Sequence, residues 1–263
     1  MIPRADIVEW RAYAPWKNDA QVEQDLIICR LLVELYLNPI IQNNLLFRGG
    51  TALHKLFLAP PVRYSEDLDF VQEKPVPIGP VLTAVHSVCD PLLGNPRTRQ
   101  KEDSVVLIYR AVSEIPPVMS LRIKIEVNTR EHFAVFPIRK KVYRIQSRWF
   151  SGEGKVNTYS LEELLATKLR ALYQRKKGRD LFDLWYGLTK GKANPGRIAE
   201  AFGRYVEFQE LKITRKQLRK NVLLKIKDRN FTADTQPLVR PDVDYSVEDA
   251  YACLDERLLS SLE

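Results

Sequence analysis

Residues 47–70 read FRGGTALHKLFLAPPVRYSEDLDF, and this stretch decides how the first half of the chain is interpreted. The short segment Asn44–Phe47 ends in apolar residues, which predicts a buried strand. Gly49 and Gly50 follow as a turn, and Thr51–Leu58 has apolar residues at helical spacing until a Pro-Pro pair ends it. This order of strand, glycine turn and helix predicts an α/β arrangement.

Two carboxylates stand at the end of this stretch, on the predicted strand Asp67–Val71. Because residues two apart on a strand point the same way, Asp67 and Asp69 share one face while Leu68 faces the core. Neighbouring carboxylates repel each other, and a hard divalent cation such as Mg²⁺ or Mn²⁺ relieves that repulsion. An isolated Asp-x-Asp pattern also fits a solvated turn, so the pair predicts a metal site only together with other residues.

A third carboxylate, Glu126, lies on the polar side of the predicted strand Leu121–Val127. Three carboxylates on neighbouring strands can hold two metal ions, one activating an attacking hydroxyl and the other neutralising a triphosphate. Glu126 is equally consistent with a surface residue that is paired with Lys124 or Arg122. Both interpretations stay open at this level.

The turn Arg48–Thr51 joins a strand to a helix, a place where free backbone N–H groups and the helix dipole attract phosphate. Its two glycines would let a triphosphate approach the backbone closely. The sequence contains no GxxxxGK[ST] motif, so this is not a Walker loop. A Gly-Gly turn alone is usually only a turn, and its meaning depends on the motifs that follow it.

Periodicity predicts the remaining elements. Helices are expected at 20–37 and Ile78–Leu93, and a further strand at Val105–Val112. From Ser160 onward the spacing is helical, and Ser160 and Ser246 each begin a capping-box pattern. The second half of the chain is therefore predicted to be mainly helical.

The polar, glycine-containing stretch 151–158, SGEGKVNT, is predicted as the connection between two domains. We expect an α/β domain at residues 1–155 and a helical domain with a basic surface at residues 156–263. The chain has 41 Lys and Arg residues against 33 Asp and Glu, a net charge of +8. Residues 190–229 hold 12 basic and 4 acidic residues, so this segment alone carries the imbalance.

The basic segment 190–229 has three interpretations: a solvated helical face, a surface for a partner protein, or an RNA-binding surface. Its charge exceeds what solubility requires, and it would attract a polyanion through the release of counterions. The candidate RNA-binding residues have mixed i, i+3 and i, i+4 spacings and are Arg215, Lys216, Arg219 and Lys220.

Composition excludes several classes of protein. The chain is 45% hydrophobic and 28% charged, which is typical of a globular protein and excludes disorder. No apolar run reaches the roughly 18–20 residues needed to cross a bilayer, and no signal pattern begins the chain, so a soluble cytoplasmic protein without a membrane partner is expected. The three Cys and three His are too scattered for a zinc site.

Four segments together resemble one family. Phe47–Leu53 and Arg63–Phe70 resemble the first motif of the AbiEii/AbiGii toxin-like nucleotidyltransferases, a branch of the DNA polymerase β superfamily and the toxins of type IV toxin–antitoxin systems. Leu161–Leu172 and Gly178–Leu184 are similar to the second-half signature of that family. The resemblance covers most of residues 45–187, and the joint pattern is far more specific than any one segment.

The resemblance implies an α+β fold, in which a nucleotidyltransferase-type mixed sheet with flanking helices precedes a mainly helical C-terminal domain. Asp67 and Asp69 match the metal-binding pair of the family, and Glu126 is the candidate third carboxylate. The remaining implied site residues are the nucleotide-phosphate lysine Lys168, the essential acid Asp180, the site-adjacent Ser65, and the nucleotide-binding turn of Gly49, Gly50 and Thr51. The broader superfamily has Gly-Ser in this turn, whereas here a hydroxyl follows as Thr51.

Two of these residues also have ordinary structural interpretations. A helical lysine such as Lys168 is most often a solvated charge, although this one lies beside the apolar stripe of its helix. Asp180 stands in the first turn of a predicted helix, where a carboxylate is favoured by the helix dipole alone.

The activity that the resemblance implies is the transfer of a nucleotide from an NTP to an acceptor hydroxyl, expected to be the 3′ end of a tRNA or another RNA. The implied role is that of the toxin in a toxin–antitoxin or phage-defence pair, with its antitoxin encoded nearby and direct binding between the two left open. The alternatives are a non-catalytic nucleic-acid-binding or regulatory module on the same fold, and a metal-dependent nuclease that uses the same acidic cluster.

Overall fold

The computed structural model describes residues 2–262, which form two compact units. Unit 1 contains the residues up to 134 together with 138–159. Unit 2 contains residues 135–137 and the chain from 160 onward. The expected division into domains after residue 155 stays a prediction.

Unit 1 is built on one seven-stranded mixed sheet with the order β3-β4-β5-β2-β1-β7-β6. Its strands are β1 (Leu45–Arg48), β2 (Asp67–Gln72), β3 (Arg97–Gln100), β4 (Ser104–Val112), β5 (Ser120–Asn128), β6 (Arg139–Gln146) and β7 (Ser151–Thr158). The pairs β2–β5 and β1–β7 are parallel and the other pairs are antiparallel. The sheet and its flanking helices confirm the predicted α+β class, and β1, β2, β4 and β5 lie where the sequence pattern placed them.

Five helices accompany the sheet in unit 1: α1 (Arg4–Trp10), α2 (Asp19–Leu37), α3 (Pro39–Asn44), α4 (Gly49–Leu56) and α5 (Gly79–Leu93). The predicted helices at 20–37, Thr51–Leu58 and Ile78–Leu93 are confirmed, with α4 beginning two residues earlier than expected. Helix α2 is buried on nearly every side rather than on one face, because it contacts β5, β6 and β7 as well as α1, α3 and α5.

Composition predicted that the stretch 151–158 is a connection between two domains, and this prediction was wrong. The stretch forms strand β7. Its glycines stand where α2 crosses the sheet closely. A Cβ on Gly154 would lie 3.3 Å from the carbonyl oxygen of Val33, and one on Gly152 would lie 3.3 Å from a methyl group of the same residue. Glycine inside a strand often marks such a close approach, which explains why a polar, glycine-rich sequence is part of the sheet.

Unit 2 is helical, as the periodicity predicted: α6 (Leu161–Gln174), α7 (Gly178–Thr189), α8 (Pro195–Phe208), α9 (Arg215–Ile226), α10 (Arg229–Ala233), α11 (Val247–Arg257) and a short 3₁₀ turn at Leu259–Ser261. Helix α6 packs against α7, α8 and α9. Among residues 2–262, no helix of either unit is both long enough and apolar enough to cross a membrane.

The predicted cap of α6 is confirmed in part. Ser160 Oγ accepts a hydrogen bond from the N–H of Glu163, as a capping box requires. The Glu163 carboxylate does not return to Ser160 but accepts hydrogen bonds from the N–H groups of Val135 and Phe136 and from the Tyr205 hydroxyl. These bonds explain why residues 135–137 belong to unit 2.

Candidate active site

The site in unit 1 is centred on the turn between β1 and α4. Gly49 has a φ of +81°, and a Cβ at this position would lie 2.5 Å from Asp69 Oδ2. A Cβ on Gly50 would collide with the Arg63 guanidinium and lie 3.0 Å from Ser65 Oγ. The positive φ and the contact with Asp69 require glycine at position 49, and a side chain at position 50 would have to displace the Arg63 guanidinium. The first turn of α4 therefore lies directly against β2 and the segment that precedes it.

Thr51 fixes the segment before β2. Its hydroxyl donates to the carbonyl oxygen of Asp67 at 2.5 Å and lies 2.9 Å from Ser65 Oγ. The Thr51 side chain is buried. The structure therefore brings the predicted glycine turn, Ser65 and the Asp pair together in one place.

The carboxylates lie on neighbouring parallel strands, β2 and β5. In the register of these strands Asp69 is opposite Glu126, and Asp67 is opposite Lys124. Burial alternates over the first four residues of β2, so that Leu68 faces the core and both aspartates stand on the open face. The three carboxylates predicted from sequence thus share one face of the sheet.

Lys124 lies among these three carboxylates and was not singled out as a site residue by the sequence. Its Nζ is 2.9 Å from Asp67 Oδ2, 3.0 Å from Glu126 Oε2 and 3.5 Å from Asp69 Oδ1. Only 16% of its side chain is exposed. The only signal for Lys124 in the sequence was its position two residues before Glu126, on the same side of β5. An alternating pattern cannot show which strand pairs with β5, so it could not place Lys124 beside the aspartates of β2.

The electrostatics of the three carboxylates differ. Burial and the neighbouring charge of Asp69 raise the pKa of Asp67. Burial acts against ionisation of Glu126 as well, but hydrogen bonds from Lys101 and Lys124 outweigh it and lower the pKa of Glu126 to about 2. Lys101 Nζ and Ser104 Oγ lie 2.9 Å and 3.0 Å from Glu126 Oε1. The pairing with Lys124 that the sequence left open for Glu126 is therefore present, together with a second pairing to Lys101.

The donor set fits a hard divalent cation. Asp67 and Asp69 offer carboxylate oxygens side by side, and Asp67 Oδ1 is buried without a hydrogen-bond partner in the part of the chain that the structure describes. Arg122 Nη1 lies 3.9 Å from this oxygen, beyond hydrogen-bond distance. Over residues 2–262, no three acidic, His or Cys side chains form a preformed metal cage, since the Lys124 ammonium lies between the carboxylates.

A second polar cluster lies inside unit 2. Lys168 on α6 is buried, and its Nζ is 3.1 Å from Asp180 Oδ1 and 2.9 Å from Asp183 Oδ2, both on α7. Arg175 adds two hydrogen bonds to Asp180, at 2.7 Å and 2.8 Å. Burial acts against ionisation of Asp180, but the charge of Lys168 and the hydrogen bond from Arg175 lower its pKa.

This geometry changes the interpretation of two predicted residues. Lys168 is not a solvated charge, because 8% of its side chain is exposed. Asp180 does more than favour the start of a helix, because its side chain pairs with Lys168 and Arg175. Asp183 completes the cluster from the next turn of α7. Its i, i+3 spacing from Asp180 puts both acids on one face of the helix, but the spacing could not show that Lys168 lies against that face.

The four candidate RNA-binding residues lie on α9, and the buried residues of this helix are Leu218 and Val222. Lys216 and Lys220 are exposed, whereas Arg215 and Arg219 are half-buried. Arg219 makes a bidentate pair with Asp255, with both distances at 2.7 Å. Lys216 and Lys220 are therefore better placed than Arg219 to contact a polyanion.

The sheet topology and the carboxylates beside a glycine turn are the features expected of a nucleotidyltransferase. The particular family follows from the sequence: the family model described as nucleotidyl transferase AbiEii toxin, type IV toxin–antitoxin system, matches residues 30–253. The chain therefore belongs to the AbiEii family, as the motifs indicated. No curated protein matches the chain.

Solved structures share the fold. The chain is similar to the nucleotidyltransferase toxin MenT4 from Mycobacterium tuberculosis H37Rv, with 20% identity, a TM-score of 0.71, and coverage of 100% of this chain and 91% of that one. It is also similar to a protein from H. pylori described as a putative nucleotidyltransferase, with 17% identity, a TM-score of 0.56 and coverage of 91% and 93%. JHP933 from Helicobacter pylori gives 18% identity, a TM-score of 0.55 and coverage of 91% and 90%.

Proposed function

We propose that this nucleotidyltransferase moves a nucleotide from an NTP to a hydroxyl of an RNA acceptor, specifically the 3′ end of a tRNA. The observation that carries the proposal is the common face on which Asp67, Asp69 and Glu126 meet the glycine turn at the start of α4. A site for phosphate and a set of hard oxygen donors thereby lie side by side. Phosphoryl transfer requires this combination, because its catalysis is mostly positioning and neutralisation of charge.

The residues of unit 1 have distinct proposed roles. Backbone N–H groups in the first turn of α4 bind the triphosphate, which Gly49 and Gly50 allow to approach. Asp67 and Asp69 hold Mg²⁺ or Mn²⁺, with Glu126 as the third carboxylate. Held there, such a metal would supply activation of the acceptor hydroxyl and neutralisation of charge on the leaving pyrophosphate. Ser65 and Thr51 hold the segment that carries the two aspartates, since the Thr51 hydroxyl lies against that of Ser65 and donates to the Asp67 carbonyl oxygen.

The residues of unit 2 are proposed to bind the substrates. Lys168 contacts a nucleotide phosphate, and Asp180 positions its ammonium together with Asp183. The basic face of α9, formed by Arg215, Lys216, Arg219 and Lys220, contacts the RNA backbone. We further propose that residues 1–155 and 156–263 act as the catalytic and the substrate-binding domain.

Membership of the family supports a proposal about the biological setting. We propose that the chain acts in the cytoplasm as the toxin of a type IV toxin–antitoxin pair and that its activity supports defence against phage. A cognate antitoxin is encoded nearby and counteracts it. Whether the two proteins touch is a separate question, which co-purification of the pair would answer.

Incubation of the protein with each labelled NTP and total tRNA, with and without Mg²⁺, tests the proposal. The expected result is label on the 3′ end of tRNA with one NTP preferred and only when Mg²⁺ is present. Shortened tRNA without label would favour a nuclease. RNA binding without either product would favour a non-catalytic module. Label on protein or on a small molecule would refute the RNA acceptor but not nucleotide transfer.

A further inference from the structure

A group of basic side chains lies on the three strands at the β3 edge of the sheet, outside the segment that the sequence marked as basic. We call it the sheet basic patch, and its members are Arg97 and Arg99 on β3, Lys101 directly after β3, Arg110 on β4 and Arg122 on β5. The side chains of Arg97, Arg99 and Arg110 are exposed, and that of Arg122 is 44% exposed. None of these residues belongs to unit 2.

The strand register places the patch on the same face as the carboxylates. Arg110 on β4 is directly opposite Arg122 on β5, and Arg122 is two residues before Lys124, so both point to the Lys124 side. Arg97 and Arg99 on β3 are opposite residues 108 and 106 of β4, which share the face of Arg110. The arginines of β3, β4 and β5 therefore surround one side of the acidic site.

Two contacts show directly that the patch reaches that site. Lys101 Nζ is 2.9 Å from Glu126 Oε1, and Arg122 Nη1 is 3.9 Å from Asp67 Oδ1. The patch and the carboxylates are thus continuous across the face of the sheet, with no strand between β5 and β2 to separate them.

Only part of the charge of the patch is balanced within the described residues, because Lys101 and Arg122 lie against carboxylates and the other three arginines do not. Arg110 and Arg122 are a directly opposed pair of like charges, an arrangement that destabilises a sheet. In the part of the chain that the structure describes, Arg97, Arg99 and Arg110 make no ion pair. Arginine presents a planar fork of N–H donors that matches phosphate oxygens. This unbalanced group therefore has the chemistry of a phosphate-binding surface.

We propose that the sheet basic patch binds the phosphate backbone of the RNA acceptor and leads its 3′ end to the carboxylates; this inference rests on the proposed function. The extent of the patch favours a polymer over the NTP alone. Strand β3 is three strands away from β2, about 14 Å at the usual strand spacing. A nucleic-acid strand carries a phosphate at every nucleotide and can contact arginines over that whole distance, whereas the triphosphate of an NTP is fixed at the glycine turn.

The test measures RNA binding separately from transfer. Arg97, Arg99 and Arg110 are replaced together by Glu, and binding of a fluorescent single-stranded RNA and of unfractionated tRNA is followed by anisotropy, without divalent metal, over a range of salt concentrations. Loss of three contacts should make the slope of log affinity against log salt shallower by about 2 and weaken binding at least about tenfold at low salt. Thermal melting confirms that the variant is folded.

A matched control has the same change of net charge at the opposite edge of the same sheet. It carries Arg139→Glu, Lys140→Glu and Lys155→Glu on β6 and β7, where all three side chains are exposed. The proposal predicts that this variant binds RNA much more tightly than the patch variant. An equal loss in both variants would overturn it, because the effect would then be one of overall charge. An unchanged salt slope in the patch variant, or a loss of NTP affinity with RNA affinity intact, would also overturn it.

The result of the RNA-binding test can be distinguished from the result of the labelling test of the proposed function. If the wild-type protein labels tRNA but the patch variant binds RNA normally, the patch is refuted and nucleotide transfer stands. If the wild-type protein labels no RNA while the patch variant alone loses RNA affinity, the RNA surface stands and the proposed acceptor chemistry is refuted.

Discussion

Lys124 Nζ lies 2.9 Å from Asp67 Oδ2, and the two residues are directly opposite each other on the parallel strands β5 and β2. The same ammonium is within 3.5 Å of Asp69 and Glu126. The protein thus carries its own cation among the carboxylates that are proposed to bind metal. This internal cation offsets their mutual repulsion and lets the site stay folded before a metal binds.

The first prediction concerns this internal cation. Lys124→Met should lower the free energy of unfolding by about 1–3 kcal/mol without divalent metal, because three neighbouring carboxylates lose a charged hydrogen-bond donor. Mg²⁺ should restore more stability in the variant than in the wild type, since it replaces the missing charge. Thermal melting with EDTA and with Mg²⁺ measures both effects. Lys101→Met is the matched control, because its more exposed ammonium pairs with Glu126 alone; equal effects in the two variants would contradict the central role of Lys124.

The second prediction concerns the paired aspartates. Asp67→Asn and Asp69→Asn should each lower nucleotide transfer by orders of magnitude, because a neutral amide neither organises the metal nor compensates charge in the transition state. Folding should survive, since each change also removes repulsion within the pair. Transfer is measured with labelled NTP, and melting is followed in parallel. Glu102→Gln, an exposed acid of the same unit, is the control and should retain full activity. Near-normal transfer by a folded Asp67→Asn variant would refute the metal-binding pair.

The third prediction separates backbone strain from a steric clash at the glycine turn. Gly49→Ala should lose activity and stability, because the residue has a φ of +81° and its Cβ would press on Asp69 Oδ2. Gly94→Ala is a close control, since Gly94 has a φ of +75° and a Cβ added there would have no atom within 4 Å. Gly94→Ala should cost only the backbone strain of about 1–3 kcal/mol and leave activity intact. Melting and transfer assays of both variants measure the difference, and equal loss of activity would contradict the close contact with Asp69.

The fourth prediction concerns the buried cluster of unit 2. Lys168→Met should destabilise the protein by about 3–5 kcal/mol, because it leaves Asp180 and Asp183 buried without their ammonium partner. Such a loss is larger than a surface lysine could cause. Chemical denaturation measures it, and NTP titration of the folded fraction shows whether nucleotide affinity falls as well. A change within about 0.5 kcal/mol would contradict the burial of this charge.

Acid should weaken the same cluster. The pKa of Asp180 is lower in the folded protein than its ordinary value of 3.8. Its contribution to stability is therefore complete above that value and is lost as the pH falls through the folded pKa. We expect the difference in unfolding free energy between the wild type and Asp180→Asn to be constant near neutral pH and to shrink below about pH 4. A difference that stays constant down to the acid limit would contradict the lowered pKa.

Local patterns in the sequence were sufficient for several elements of unit 1. Alternation of polar and apolar residues located β2 and β5 and set Asp67 and Asp69 on the open face, because the side-chain period of a strand is fixed at two. The caps at Ser160 and Ser246 were equally local, since each depends on residues within one turn. Strand β7 was missed because its glycines serve a contact with Val33 on α2, more than a hundred residues earlier in the chain.

The sequence by itself determined the family, the α+β class, the helical second half and the residue types of the site, since motifs and periodicity are properties of neighbouring residues. Tertiary structure alone decided that Lys124 stands opposite Asp67, that Asp183 joins Lys168 and Asp180, and that Arg110 opposes Arg122 beside the carboxylates. Strand pairing and helix packing bring together residues that are far apart in the chain. Their register depends on how whole faces are buried, and no local pattern contains that information.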